Sequence, residues 1–168
     1  MIPQIKKILY ATDLSENSSY AFFYAIDLAQ RHDAKIVILH AIEPVPGHVE
    51  RRFGSVGREV EEQRQKETAE LIKTRLREFC TNIQGQTDTR CPDLISSILV
   101  PMGDAVEQIL NAADEEKCDV LVLGTHGKGF LAHTFLGSVA SSVLHRTQKP
   151  VFIIPLPTGE TSAHEVGI

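Results

Sequence analysis

The stretch VLVLGTHGKGFLAHTFLGS, residues 120–138, joins an apolar run to a set of spaced glycines. The run Val120–Leu123 contains no polar residue, which is typical of a strand covered on both faces of its sheet. Gly124 follows the run directly, Gly127 comes three residues later, and Gly137-Ser138 stands where helical periodicity begins. The order is therefore strand, glycine-rich turn and helix.

This arrangement favours an anion. Glycines let the backbone approach a phosphate closely, and the first amides of a helix point back at the turn with the positive end of the helix dipole. Ser138 adds a hydroxyl donor, and His126 and Lys128 could add hydrogen bonds or charge. For any single glycine, a tight turn or close packing is the simpler interpretation. The set as a whole predicts a phosphate site.

Four more short apolar runs occur along the chain, and segments with helical periodicity separate them. The runs are Ile8–Tyr10, Ile36–Leu39, Ile98–Val100 and Val151–Ile154. Because strands and helices alternate, we predict an α/β fold with three layers: an open, parallel, five-stranded, Rossmann-like sheet with helices on both faces. The expected strand order is 3-2-1-4-5.

The helices are predicted from Ser15 to about Arg31, over Arg58–Ile83, after a capping pair formed by Asp104 and Glu107, and from near Leu136 to Lys149-Pro150. Their apolar stripes are Tyr20, Phe23, Tyr24 and Leu28; Ile72, Leu76, Phe79 and Ile83; Val106, Ile109, Leu110 and Ala113; and Leu136, Ala140, Val143 and Leu144.

Two connections fall outside this scheme. Glu43–Gly57 is expected to be a mobile loop on the ligand side, and Gly85–Asp93 a polar connection.

The 168 residues suit one domain, expected over 1–157, followed by a flexible C-terminal tail over 158–168. A formal net charge of -5 argues against a nucleic-acid-binding protein. We see no signal peptide and no apolar run long enough for a membrane, and the three cysteines lack metal-ligand spacing. A cytoplasmic protein with reduced thiols is expected.

In a doubly wound sheet, ligands collect outside the carboxyl ends of the strands, where the strand order reverses. Asp13, Ala41, Gly103 and Gly124 each follow one of the first four strands. With the order 3-2-1-4-5, Asp13 and the glycine loop face one crevice. Asp13 is a partner for ribose hydroxyls or, equally, a cap for the helix that starts near Ser15. The backbone at Ala41 and the side chain of Met102 could flank an adenine ring.

The segment IKKILYATDLS, residues 5–15, resembles the opening of universal stress proteins. Gly124–Ser138 matches that family's G-x2-G-x9-G-[S/T] nucleotide motif in full, and Lys149–Ile154 resembles its closing strand. The similarity covers roughly residues 5–155 and implies the adenine nucleotide alpha hydrolase-like form of the fold. One departure is Ala11, where several members have proline; we expect it to change strand rigidity more than chemistry.

The resemblance implies a role for each matching position. Asp13 would contact the ribose, the main chain at Ala41 would read the adenine edge, and Gly103 would lie near the base or sugar. The phosphates would be held by Gly124, Gly127, Gly137 and Ser138, with Val139 donating its amide. The full candidate set is Ala11, Thr12, Asp13, Ala41, Met102, Gly103, Gly124, His126, Gly127, Lys128, Gly137, Ser138 and Val139.

Members with this motif bind ATP or AMP, so the resemblance implies a switch or sensor in the stress response. No protein side chains are expected to hold a metal, although Mg²⁺ could enter with the nucleotide phosphates. The sequence has no Walker-type Gly-Lys-Ser/Thr motif, and Ser138 has no implied histidine–acid pair, so we assign no catalytic residue and expect at most slow ATP hydrolysis.

Two alternatives remain open. One is an interaction module whose pocket holds no nucleotide. The other is an ATP-using enzyme of the related pyrophosphatase group, which carries a Ser-Gly-Gly-x-Asp-Ser loop where this chain has Ala11–Glu16.

The strand Val151–Ile154 is expected at a sheet edge, and an unpaired apolar edge tends to associate. The resemblance implies a homodimer through antiparallel pairing of this strand, which Pro155 and Pro157 would end. The alternative is a monomer whose own tail covers the edge. The sequence does not identify a downstream protein partner.

Overall fold

A computed structural model describes residues 2–44, 50–83, 90–125 and 136–155. Among them, five strands form one sheet in the order β3-β2-β1-β4-β5, and every neighbouring pair is parallel. The strands are β1 (Lys7–Ala11), β2 (Lys35–Leu39), β3 (Ile95–Leu99), β4 (Val120–Gly124) and β5 (Val151–Ile154). The predicted fold class and strand order are confirmed. The predicted tail, residues 158–168, lies outside the described residues.

Helices cover both faces of the sheet. They are α1 (Glu16–His32), α2 (Glu50–Ile83), the short α3 (Cys91–Leu94), α4 (Ala105–Glu115) and α5 (Ser138–Arg146). Successive residues of β1 point to opposite sides, so Ile8 and Tyr10 join the core beneath α1, α2 and α3, while Leu9 and Ala11 join the core beneath α4 and α5. Among the described helices, none combines the length and the apolar content needed to cross a membrane.

The buried face of α1 differs from the predicted stripe. Ala21, Phe22, Ala25, Ile26 and Ala29 face the sheet, and their small alanines allow close approach. Tyr20, Phe23 and Leu28 pack at the margin of this core, whereas Tyr24 is 42% exposed and bonds its hydroxyl to that of Tyr20 at 3.2 Å. Of the predicted stripe, Tyr24 alone lies off the core, because a tyrosine can keep its ring half-covered and its hydroxyl in water.

Helix α2 begins earlier than predicted. Its first residue is Glu50, so the segment 50–57 is helical and the prediction of a loop over all of Glu43–Gly57 is wrong. Gly54 and Gly57 each cost about 1 kcal/mol relative to alanine, but the surrounding glutamates and arginines are good helix formers. The predicted stripe Ile72, Leu76, Phe79 and Ile83 is buried, as expected. Residues 45–49 lie outside the described residues.

Two further boundaries and the burial of one side chain differ from the prediction. The predicted polar connection Gly85–Asp93 ends in a helix, because α3 starts at Cys91. A proline stands in the first turn of α3, where its missing N–H costs no helical hydrogen bond. Helix α5 begins at Ser138 rather than near Leu136, since Gly137 is still extended. Leu144, expected in the core, is 46% exposed, while its neighbour Val143 is buried.

Only one half of the predicted capping box forms at α4. Asp104 Oδ1 accepts a hydrogen bond from the backbone N–H of Glu107 at 3.0 Å. The carboxylate of Glu107 lies instead 2.7 Å from Arg146 of α5. This pair is half exposed, so it contributes little free energy but links the two helices of one layer.

The three cysteines are free and buried. A hydrogen bond between the thiols of Cys80 in α2 and Cys91 in α3 raises the pKa of Cys80 and lowers that of Cys91. Burial raises the pKa of Cys118 to about 11. Cys118 therefore stays a protonated thiol at neutral pH.

Two leucines of α2 test which face of the helix supports the fold. Leu76 is fully buried and Leu71 is 54% exposed. We expect Leu76→Ala to lower the free energy of unfolding by about 2–5 kcal/mol, because it leaves a cavity in the core. The matched Leu71→Ala control should stay within about 0.5 kcal/mol of the unsubstituted protein. Urea denaturation followed by circular dichroism measures both, and equal losses would contradict the assigned face.

Candidate functional site

A cavity of about 540 Å³ opens at the carboxyl ends of β1, β2 and β4, beside the first residues of α5. Of the predicted site residues, those that line it are Ala11, Thr12, Asp13, Ala41, Gly124, Gly137, Ser138 and Val139. Met102 and Gly103 do not line it. His126, Gly127 and Lys128 lie outside the described residues. The topology thus brings together the sequence-distant segments that follow the first, second and fourth strands.

The turn between β1 and α1 holds Asp13 at the cavity. Leu14 has a φ of 65°, a left-handed conformation that costs a bulky residue on the order of 1–3 kcal/mol. Flanking side chains stabilise it: Leu14 N–H donates to Thr12 Oγ1, and Ser15 N–H donates to Asp13 Oδ1, both at 3.0 Å. Ser15, not Asp13, is the N-cap of α1, since its side chain accepts from the N–H of Ser18. Asp13 therefore holds the cap in place rather than capping the helix itself.

A buried polar network lies behind this turn. The hydroxyls of Thr12 and Ser18, both residues under 10% exposed, are 2.7 Å apart. Ser18 also donates to the Ser15 carbonyl at 2.9 Å, and Tyr10 donates to the Ser18 carbonyl at 2.5 Å. Burial raises the pKa of Tyr10, so the phenol remains a neutral donor. These bonds tie the first turn of α1 to the end of β1.

Beyond β2, every second backbone N–H bonds to the β3 side of the sheet. His40 N–H donates to the Leu99 carbonyl at 3.0 Å and Ile42 N–H to the Pro101 carbonyl at 2.9 Å. Ala41 lies between them, and its backbone N–H and C=O face the β1 side, where the β1–β2 ladder has ended. Among the described residues, no group bonds the N–H or the C=O of Ala41. The cavity wall thus presents one backbone donor and one backbone acceptor side by side.

Met102 and Gly103 support this segment from behind. Met102 forms an isolated parallel bridge with Ile42, and Gly103 N–H donates to the Ile42 carbonyl at 2.9 Å. Gly103 has a φ of 138°, and a Cβ there would come within 2.6 Å of Gln108 Nε2. The glycine is therefore explained by backbone conformation and by packing against α4.

The described ends of the glycine segment, Gly124-Thr125 and Gly137-Ser138, form the opposite wall. Thr125 follows β4, and its carbonyl accepts from Gly137 N–H at 2.6 Å, so the two ends of the motif meet. Gly137 is the N-cap of α5 and supplies no capping side chain. The first amides of a helix have no intrahelical acceptor, and here they open at the cavity beside Ser138 and Val139. This wall can bind an anion.

Sequence reasoning missed several lining residues, among them Ser18, His40, Glu43, Thr68 and Ile72. His40 could have been found, because it follows the second strand as directly as Thr12 follows the first. Thr68 lies one helical turn before Ile72, which was assigned to the buried stripe of α2. Only the position of α2 over the sheet edge shows that this stripe reaches the cavity. Among the described residues, no group of three or more potential ligands is arranged to hold a metal.

A family model described as the universal stress protein family matches residues 4–155. The chain belongs to the universal stress protein family. A universal stress protein of Thermus aquaticus is 32% identical over 149 residues, which is 89% of this chain and 98% of the relative. Universal stress protein MJ0577 of Methanocaldococcus jannaschii is 27% identical over 160 residues, 89% of this chain and 94% of the relative.

Solved structures agree with this assignment. The structure of MJ0577 has a TM-score of 0.72 and 27% identity, covering 94% of this chain and all 100% of that one. A universal stress protein solved in complex with cAMP has a TM-score of 0.59 and 25% identity, covering 91% of this chain and 98% of that one.

The hydroxyl of Thr12 can be tested as the support of the β1–α1 turn. Thr12→Val keeps the shape but removes the partner of Leu14 N–H and of Ser18, so we expect a loss of about 1–3 kcal/mol in unfolding free energy. Thr12→Ser keeps the hydroxyl and should recover most of that loss. Urea denaturation of both variants is the measurement. A valine variant as stable as the serine variant would contradict the role of the hydroxyl.

Proposed function

We propose that this universal stress protein binds an adenine nucleotide, ATP or AMP, in the cavity and acts as a nucleotide-dependent switch or sensor in the stress response. The observation that carries the proposal is the open N–H and C=O pair of Ala41 at the cavity wall. Adenine offers an acceptor at N1 beside the donating amine at N6, which complements such a pair. Guanine offers the reverse pattern at the same edge, with a donor at N1 and an acceptor at O6.

The other end of the cavity suits the phosphates. The amides at the start of α5 and the hydroxyl of Ser138 would receive them, and the half-buried carboxylate of Asp13 would accept from a ribose hydroxyl. The motif residues His126, Gly127 and Lys128 would complete the phosphate site. A volume of about 540 Å³ lies within the range of roughly 300–1,000 Å³ that small-molecule sites occupy. The relative solved with cAMP supports an adenine ligand.

Calorimetric titration tests this proposal. ATP, AMP, cAMP and GTP are titrated into nucleotide-stripped protein, with and without Mg²⁺. We expect ATP or AMP to bind at least about tenfold more tightly than GTP, because guanine would leave both groups of Ala41 unpaired. Ser138→Ala should weaken adenylate binding by about tenfold or more through loss of a hydrogen bond to a charged phosphate. Ser142→Ala, on the same helix but away from the cavity lining, is the matched control.

The outcomes separate the alternatives. Absence of adenylate binding would overturn the proposal and favour an interaction module. Equal binding of ATP and GTP would contradict base recognition by Ala41. Release of phosphate from bound ATP over hours would add slow hydrolysis to the binding function.

We also propose a homodimer through β5. This strand ends the sheet beside β4, and Phe152 on it is 41% exposed, an apolar edge of the kind that pairs with another strand.

Light scattering tests the dimer. We expect twice the 18.6 kDa chain mass at micromolar concentration. Phe152→Lys should shift the mass toward one chain, because a charge would be buried in the interface, and the exposed Leu71→Lys on α2 should not. A monomer in the unsubstituted protein would contradict the proposal.

A further inference from the structure

The end of β1 departs from a regular parallel ladder at one atom. Thr12 N–H donates to the Leu39 carbonyl at 2.9 Å, which is the normal ladder bond. In a continued parallel ladder, the Thr12 carbonyl would then accept from the N–H of Ala41, two residues after Leu39. It accepts instead from Nδ1 of His40, at 2.8 Å.

The hydrogen of this bond can be assigned. A carbonyl oxygen has no proton to donate, so the proton lies on His40 Nδ1. The imidazole therefore donates to the carbonyl that the Ala41 amide would use in a continued ladder, and the Ala41 N–H makes no bond to it. Among the described residues, the Ala41 N–H and C=O are left without partners.

The surrounding backbone stabilises this change of hydrogen-bond donor. The bonds from His40 and Ile42 to the Leu99 and Pro101 carbonyls hold the segment against the β3 side. On the other side, β1 turns away through Leu14 with its positive φ, so no further strand residue approaches Ala41. His40, Thr12 and Ala41 all line the cavity.

We propose that His40 is a positioning residue for base recognition: by occupying the Thr12 carbonyl, it keeps the Ala41 amide available to the edge of a 6-aminopurine. The inference rests on the proposed adenine nucleotide function for its ligand. The bond from His40 to the Thr12 carbonyl, however, is present without a ligand. Without the imidazole donor, the Ala41 N–H would close onto Thr12 and extend the ladder by one bond.

The first test needs no nucleotide. Backbone amide hydrogen exchange, resolved by NMR, is measured on the nucleotide-free protein. We expect Ala41 to exchange fast in the unsubstituted protein and to become at least about tenfold more protected in His40→Leu, where it bonds to Thr12. The amides of His40 and Ile42 serve as internal controls, because their bonds to the β3 side persist in both proteins.

A conservative variant separates positioning from general stability. The side-chain amide of His40→Asn can place an N–H where Nδ1 stood, so Ala41 should again exchange fast. His40→Gln carries the same amide one bond farther out and should resemble His40→Leu. Slow exchange of Ala41 in the unsubstituted protein, or no change across the series, would overturn the inference. Slow exchange of Ala41 is measured on the unsubstituted protein, so this outcome can overturn the inference even if a variant fails to fold.

The second test compares AMP with IMP, which carries a carbonyl at C6 and a proton at N1 in place of the 6-amine. We expect His40→Leu to lower the AMP-to-IMP affinity ratio by about tenfold and His40→Asn to restore it. A purely structural loss would weaken both nucleotides equally and overturn the assignment. If the protein binds neither nucleotide while Ala41 still responds to His40, the proposed function fails and the positioning role stands. If AMP binds and Ala41 exchange ignores His40, the positioning role alone fails.

Discussion

Parallel pairing of β1 on both of its edges is the constraint on which the site depends. From β1 the chain builds outward through β2 and β3 on one side, and β4 and β5 extend the other. Right-handed crossovers in opposite directions place α1 and α2 on one face of the sheet and α4 and α5 on the other. The helices therefore diverge where β1 meets β4, and the carboxyl ends of these strands are left as an open crevice.

The cavity acquires its chemistry because hydrogen bonding at the end of β1 is satisfied locally. Thr12, Ser15 and Ser18 bond one another and the first turn of α1, which stabilises the left-handed Leu14 and takes the chain off the sheet. Beyond the end of β1, the segment that follows β2 is bonded to the β3 side through His40 and Ile42, and its other edge is open at Ala41. A backbone donor and acceptor lie in the cavity wall because the chain leaves the sheet after β1, whereas the chain after β2 stays bonded to the β3 side.

Sequence patterns predicted what depends on local chemistry and on strand order. Continuous apolar runs identify buried parallel strands, and the residue after each run must lie at the carboxyl edge, so Asp13, Ala41 and Gly124 could be placed there. The prolines and glycines of Glu43–Gly57 predict a loop, and the propensity of single residues does not show how strongly the neighbouring residues favour a helix. The role of His40 could not be predicted, since it depends on ladder register and on which ring nitrogen carries the proton.

In the proposed nucleotide site, charge would give the two ends of the cavity different roles. The chain carries a formal net charge of -5, so its overall field does not attract an anionic nucleotide. In the proposed function, attraction would come from groups within reach of the phosphates, among them the amides at the start of α5, which the bond between Gly137 and Thr125 holds at the cavity. Such dipoles act at short range and do not distinguish one nucleoside phosphate from another. In the proposed function, selection among nucleotides would therefore fall to the neutral backbone pair at Ala41, and the proposed role of His40 makes the availability of the Ala41 N–H depend on the partner that the Thr12 carbonyl takes.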